Sequence, residues 1–235
     1  MPFTKKDAPN CDWCPYRKNC FFELLSDKQS RQAWKDMRLA NRYKQGEVIF
    51  YEGDRPRSVF VVCTGKVKIY KSSRTGQQLV IRMESPGDLL GHRALLAGDN
   101  YAGTAEAMEE SVVSQVEEPA FKDFLLHHPK AALALLGALA HDVRRGEDKA
   151  RDIAFKPARS RLATSLLDMA KPQKNHKLAV FGIRRKDLAE MSGLTIETTV
   201  RLLKDFEKRN LLKKQLKDLI ITDEPNLRSI SERFS

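Results

Sequence analysis

Three of the four cysteines stand close together as Cys11, Cys14 and Cys20, and the fourth, Cys63, lies far along the chain. Thiolates are soft, strongly donating ligands, and three from one short loop can wrap an iron–sulfur cube. The cube then needs a fourth ligand: Cys63, an Asp, Glu or His side chain, or an exogenous group. The same thiols would also suit a Zn²⁺ site or a thiol–disulfide switch. Lys5, Lys6, Arg17 and Lys18 are expected to lower the thiol pKa values and offset cluster charge. Trp13 is expected as an apolar cover over the loop. His92, His127, His128, His141 and His176 share no ligand spacing, and nothing selects one of them for haem. The first residues, MPFTKKDAPNCDWC, lack the apolar stretch of a signal peptide, so a cytoplasmic chain is expected. There, clustered cysteines point to metal or redox chemistry rather than structural disulfides.

A second set lies in KDLAEMSGLTIETTVRLLKDF. Ala189 precedes Gly193 by four, so a small residue lets a second helix cross closely and glycine frees the turn. Thr195 stands where an N-cap belongs. Leu188, Ile196, Leu202, Leu203 and Phe206 are the expected core face. Glu197, Thr198, Arg201 and Lys204 are left on the opposite face, near the helix start. Arg201 can donate two bonds to guanine, and Glu197 can accept from a cytosine amino group or hold Arg201 one turn away. Arg184, Arg185, Lys186, Lys208, Lys213 and Lys214 are expected on phosphates.

These residues need positioning elements. In 235 residues there is room for two small domains. The formal charge is +11, and it is uneven. Residues 144–235 carry 22 basic against 13 acidic side chains, and residues 1–143 carry 20 against 18. A basic half beside a near-neutral one suggests a polyanion partner for the former. No apolar run spans a membrane, and no basic amphipathic helix with an aromatic face stands out, so nucleic acid leads over membrane. No nucleophile–base pair is visible, so an enzyme is not expected.

Segment 1–25 is cysteine-rich and holds little that could pack. Ser26 to Gln29 has capping-box spacing, and a short helix should follow to about Met37. Within 26–128, short alternating runs follow: Val48 to Phe50, Val59 to Cys63, Val67 to Tyr70, Leu79 to Arg82, and pairs near 104–108 and 111–116. Glycine turns separate them, which describes an antiparallel barrel or sandwich. A long helix covers 129–155, where Leu133, Leu136, Ala140 and Val143 step by three and four, with Leu135 and Leu139 widening the stripe. A single-chain domain could bury that stripe against its barrel, and a stripe so wide and alanine-rich also suits a homodimer seam, which is the favoured reading. In 156–235 a helix over 161–169, a polar loop over 171–177, helices over 185–192 and 196–208, and two strands in LLKKQLKDLIITD make a winged helix-turn-helix.

Over nearly its whole length the chain resembles the CRP/FNR superfamily of bacterial transcription regulators. The resemblance is carried by GEVIFYEGD, VFVVCTGKVKIY, ESPGDLLG, the long helix and DLAEMSGLTIETTVRLLKDFEKRNLL. It implies an α+β chain: an antiparallel β-roll sensor of the cupin-like jelly-roll kind, a dimerisation helix and a winged helix-turn-helix domain. A homodimer on two-fold symmetric promoter DNA is implied, with RNA polymerase as partner. The family's recognition-helix glutamate and arginine fall on Glu197 and Arg201. Val200 stands where FNR itself has a serine, so the half-site does not carry over.

The family divides by signal. Cyclic-nucleotide members hold the phosphate with a glutamate and an arginine–serine pair, and those positions fall here at His92 and about Ala102-Gly103, with Arg93 one place off. Cyclic AMP is therefore not expected. The spacing Cys11-x2-Cys14-x5-Cys20 resembles oxygen-sensing FNR proteins, whose thiolates bind a [4Fe–4S] cluster. The fourth FNR cysteine aligns with Ser114, and Cys63 falls on a β-roll strand from which it would need a different geometry. Three readings stay open: a [4Fe–4S] cluster, a zinc or thiol switch, and a β-roll ligand with no cofactor at the cysteines.

Overall fold

The computed structural model describes residues 9–173 and 178–234. Lys5, Lys6 and His176 lie outside the described residues. The chain divides into two compact units, the first built from residues up to 75 and 81–144, the second from 76–80 and 145 onward.

The first unit opens with three short 3-10 turns, Cys11–Trp13, Arg17–Asn19 and Phe21–Leu24, and then α1 (Lys28–Asp36). The capping residue of α1 is Asp27 rather than Ser26: its carboxylate accepts from the Ser30 amide at 2.7 Å. A carboxylate one place later offers the same acceptor with added charge complementarity to the helix dipole. The strands are β1 (Leu39–Tyr43), β2 (Val48–Phe50), β3 (Ser58–Thr64), β4 (Val67–Ser72), β5 (Gln78–Glu84), β6 (Leu89–Leu90), β7 (Thr104–Ala107) and β8 (Ser111–Glu117), with the short helix α2 (His92–Ala97) before β7. Two four-stranded sheets, β1-β8-β3-β6 and β2-β7-β4-β5, face one another as the expected β-roll. Helix α3 (Glu118–His127) and the long α4 (Pro129–Phe155) follow.

An aromatic cluster ties the amino-terminal segment to this roll. Trp34 is fully buried, with ring centroids 5.0 Å from Phe21, 5.6 Å from Phe124 and 6.3 Å from Phe121. Cys11, Phe22 and Leu25 are buried in the same core as Val59, Val61 and Val116. Residues 9–25 therefore pack on the sensor, contrary to the expectation that they had little to pack with. The signal lay in Phe21 and Phe22, just past the cysteines.

Helix α4 carries two distinct apolar faces. Ala131 and Leu135 are buried in the sensor core, whereas Leu133, Leu136 and Val143 are exposed. The single wide stripe read from the sequence thus splits: Leu135 belongs to the core and Leu133, Leu136, Ala140 and Val143 to a seam open to solvent.

The second unit contains α5 (Ala158–Met169), β9 (Lys171–Pro172), β10 (Leu178–Val180), α6 (Arg185–Ser192), α7 (Ile196–Lys208), β11 (Leu212–Gln215), β12 (Asp218–Ile221) and α8 (Glu224–Ser231). The sheet order is β11-β12-β10-β9, so the expected wing hairpin is one edge of a four-stranded sheet. The expected polar loop begins instead as a strand, with Lys171 and Pro172 paired to β10. No helix among the described residues is long and apolar enough to cross a membrane.

Because Trp34 is the largest fully buried side chain and joins three aromatic partners, Trp34→Ala should destabilise the sensor unit by about 3–5 kcal/mol. A denaturant midpoint unchanged from wild type would contradict this packing account.

Candidate cysteine site and nucleic-acid interface

The cysteine segment is positioned by local devices. Asn10 accepts from the Asp12 amide at 2.9 Å and starts the first turn. Lys35 of α1 reaches Asp12 at 2.8 Å. Arg17 pairs with Glu23. Gly87, at φ +106°, lies in the turn between β5 and β6, where a Cβ would stand 2.5 Å from the Asn19 carbonyl oxygen. Glycine lets the segment close onto the roll.

As a result all four cysteines line one small cavity, together with Pro9, Tyr16, Phe22, Arg38 and Val61. Cys63, in β3, reaches it from the sheet, and its Sγ lies 3.4 Å from the Oγ of Ser114 on the neighbouring strand β8. The position that aligns with the fourth FNR cysteine and the cysteine this chain possesses are thus side by side. Cys63 thus lies on the lining that the other three cysteines share. All four thiols are free of disulfides.

Burial pushes the Cys11 thiol up to about 11, opposed by the Arg38 guanidinium. Cys20 is also pushed up by burial, opposed by a backbone hydrogen bond and Arg38. In the unliganded chain desolvation thus outweighs Arg38 at Cys11 and Cys20, so these two thiols are not lowered as expected, while Lys5 and Lys6, two of the expected cations, lie outside the described residues. Among the described cations, Arg38 opposes the rise at both Cys11 and Cys20, and sequence spacing gave no reason to single it out. Trp13 is 86% exposed and covers nothing.

Among the described residues, no three His, Cys, Asp or Glu side chains converge tightly enough to hold a single metal ion. A four-iron cube makes a different demand, since its thiolates attach at corners spread around a bulky core. Four thiols around one cavity fit that demand. His92 lies apart, buried 3.6 Å from Asp142, which is ion-paired with Arg82.

In the second unit, Gly193 takes the left-handed conformation at φ +60° and ends α6. Ala189 is buried beneath the crossing, and its carbonyl accepts from the Leu194 amide at 2.9 Å. Thr195 caps α7 by accepting from the Thr198 amide at 3.2 Å. Leu188, Thr199, Leu203 and Phe206 are buried. Ile196, expected in the core, is 45% exposed in the first turn, so it joins the outer face. That face presents Glu197, Arg201, Lys204 and Lys208 to solvent, spaced four, three and four apart.

The Glu197 carboxyl is held below the usual range by its own backbone amide and the Thr195 hydroxyl. No ion pair joins it to Arg201 among the described residues, which leaves both head groups facing outward. Arg184 instead forms a two-pronged pair with buried Asp187, at 2.6 and 2.8 Å, on the first turn of α6. Arg185 is half-buried, and Lys186 stands 3.6 Å from Glu190. Lys213, Lys214, Leu216 and Lys217 are exposed at the wing, with Leu216 at φ +54° on its tip. Sequence reasoning missed Lys149, whose ammonium donates to the Met191 carbonyl at the end of α6. Its partner is 42 residues away, beyond any local spacing signal.

Residues 40–128 match the cyclic nucleotide-binding domain family, and residues 160–230 match the Crp-like helix-turn-helix domain family. FixK2 of Bradyrhizobium japonicum superposes with a TM-score of 0.73 at 24% identity, covering 83% of this chain and 98% of that one. The chain has the CRP/FNR fold. Two curated proteins are similar over much of this chain. The fumarate and nitrate reduction regulatory protein of Vibrio cholerae is 24% identical over 95% of this chain and 91% of its own. The cyclic AMP receptor protein of Thermus thermophilus is 29% identical over 68% of this chain and 73% of its own. Residues 40–128 and 160–230 thus carry a cyclic nucleotide-binding-type domain and a Crp-like helix-turn-helix domain, in the order expected of a CRP/FNR-type DNA-binding regulator.

If Thr195 acts as the α7 cap, Thr195→Ala should cost about 1 kcal/mol and Thr195→Ser should restore it. Unfolding of the two variants measured side by side checks this, and equal stabilities would remove the capping role.

Proposed function

We propose that this CRP/FNR-type regulator binds two-fold symmetric promoter DNA as a homodimer and reports oxygen, redox state or nitric oxide through a [4Fe–4S] cluster on Cys11, Cys14, Cys20 and Cys63. The observation that carries the proposal is the gathering of all four thiols around one cavity. The cluster supplies redox- and gas-sensitive iron. The chain supplies three thiolates from one loop and a fourth from the rigid floor of the roll. Binding there draws residues 9–25 more firmly onto β3, and the retained protons of Cys11 and Cys20 must leave as the thiols become ligands.

The zinc alternative is less well served, because no three ligands converge on a point among the described residues. A cyclic nucleotide also finds little support. At the positions aligned with its phosphate partners stand buried His92, exposed Ala102, and Gly103, where a Cβ would lie 3.0 Å from the Tyr70 carbonyl. Arg82 is occupied by Glu84 at 3.3 Å and by Asp142.

For dimerisation, Leu133, Leu136, Ala140 and Val143 form the seam between long helices. On DNA, Arg201 reads guanine in the major groove and Glu197 accepts from cytosine, with Thr198 and Lys204 beside them. Lys186, Lys208, Lys213 and Lys214 neutralise phosphates, and Arg185 approaches the backbone from the start of α6. Arg184 acts mainly by holding Asp187. Two recognition helices about 34 Å apart then meet successive major grooves. RNA polymerase is the partner that such a promoter complex would meet, in the cytoplasm.

The test joins both sites. Protein purified without air should contain about four irons per chain, bind its promoter fragment, and lose both colour and selective binding on exposure to air. Arg201→Ala should keep the iron but lose about 1–3 kcal/mol of preference for the site over random DNA. A colourless, iron-free chain that binds selectively would overturn the sensor assignment alone. Undiminished selectivity in Arg201→Ala would overturn the readout.

A further inference from the structure

Arg38 lies in the link between α1 and β1 and is 4% exposed. Its Nη2 donates to the Pro9 carbonyl at 3.3 Å, while its buried Nε has no hydrogen-bond partner among the described residues. No carboxylate pairs with it there. A buried guanidinium without an anion is among the costliest arrangements an interior tolerates. Arg38 lines the cavity shared by the four cysteines, and among the described residues no Asp or Glu lines it. The other cation of that lining, Arg17, is taken by Glu23. Among the described residues, the groups beside the Arg38 guanidinium that can carry negative charge are the thiols themselves.

We propose that Arg38 is the fixed counter-charge of the four-cysteine site, a positioning residue that stabilises the thiolate-bound cluster and slows its loss in air. The proposal rests on the cluster reading above. A four-iron cube in its resting state with four thiolates carries two net negative charges, and one buried guanidinium offsets half of that. Its unspent Nε–H is free to donate to a cysteine or bridging sulfur. Cationic and hydrogen-bonding neighbours of this kind favour the more electron-rich cluster states. Oxidation, which begins breakdown in air, becomes harder as a result. Arginine suits the role better than lysine because its planar head can anchor one nitrogen on Pro9 while presenting another to the cavity.

The experiment compares wild type, Arg38→Met and Arg38→Lys, purified without air. Iron per chain and the decay of visible absorbance in air are measured on the loaded proteins. The rate of thiol alkylation at one neutral pH is measured on the iron-free proteins. Arg38→Met should lose its absorbance about tenfold faster than wild type and alkylate several-fold more slowly, with Arg38→Lys between them. Where Arg38→Met does not fold, Arg38→Gln, uncharged but still a donor, takes its place. Wild-type iron content, decay and alkylation in the uncharged variant would overturn the proposal. An iron-free wild type would overturn the cluster reading instead, and the alkylation rates would still decide whether Arg38 is the thiolates' counter-charge.

Discussion

A Cβ at position 87 would lie 2.5 Å from the carbonyl oxygen of Asn19, so the cysteine-bearing segment descends onto the roll only where residue 87 is glycine. The rest of the sensor follows from that close approach. It seats Cys11 in the core beside Val59 and Val61. It also places Cys14 and Cys20 over the strand that carries Cys63. The Trp34 cluster holds the segment down from the other side by linking Phe21 to Phe121 and Phe124 of α3. Helix α4 enters the same core through Ala131 and Leu135. A change at the cysteines thus meets, within one packed core, the helix whose exposed face forms the proposed dimer seam. Coupling of this kind requires no more than that cluster and dimer favour the same arrangement of that core.

The DNA-binding end has a comparable economy. The residues that could read bases are exposed because those between them are committed inward: Thr199, Leu203 and Phe206 are buried. Thr195 is spent on the helix start and Arg184 on Asp187, and both fix the geometry from which Glu197 and Arg201 project. Lys149 joins the lower part of α4 to the last turn of α6. Within the second unit, the helix that leads from the sensor is thereby fastened directly to the helix-turn-helix.

Much of this was legible in the sequence. Period-two runs with glycine turns marked β3, β4, β5, β7 and β8, and Gly193 with Thr195 fixed the boundaries of α6 and α7. Local signals failed where tertiary context ruled. β1, with Asn41 and Arg42 in its middle, has too polar a pattern to announce a strand, and β6 is too short. α8 went unread although Asp223 supplies an N-cap, accepting from Asn226 at 3.1 Å, with Pro225 in its first turn. The cysteine site was legible as a motif but not as a place. That Cys63 and Ser114 are neighbours depends on the pairing of β3 with β8, between residues 51 apart. Arg38 and Lys149 were invisible for the same reason, since burial and long-range partners give them their meaning.

The central claim is that Cys63 completes a site with Cys11, Cys14 and Cys20 in place of a ligand at position 114. It is tested most directly by the iron content of Cys63→Ala and of Cys63→Ala combined with Ser114→Cys, both purified without air. Because the two side chains are 3.4 Å apart, the single variant should lose most of its iron and the double variant should regain it. Full iron in Cys63→Ala would contradict the account, as would a double variant no better than the single.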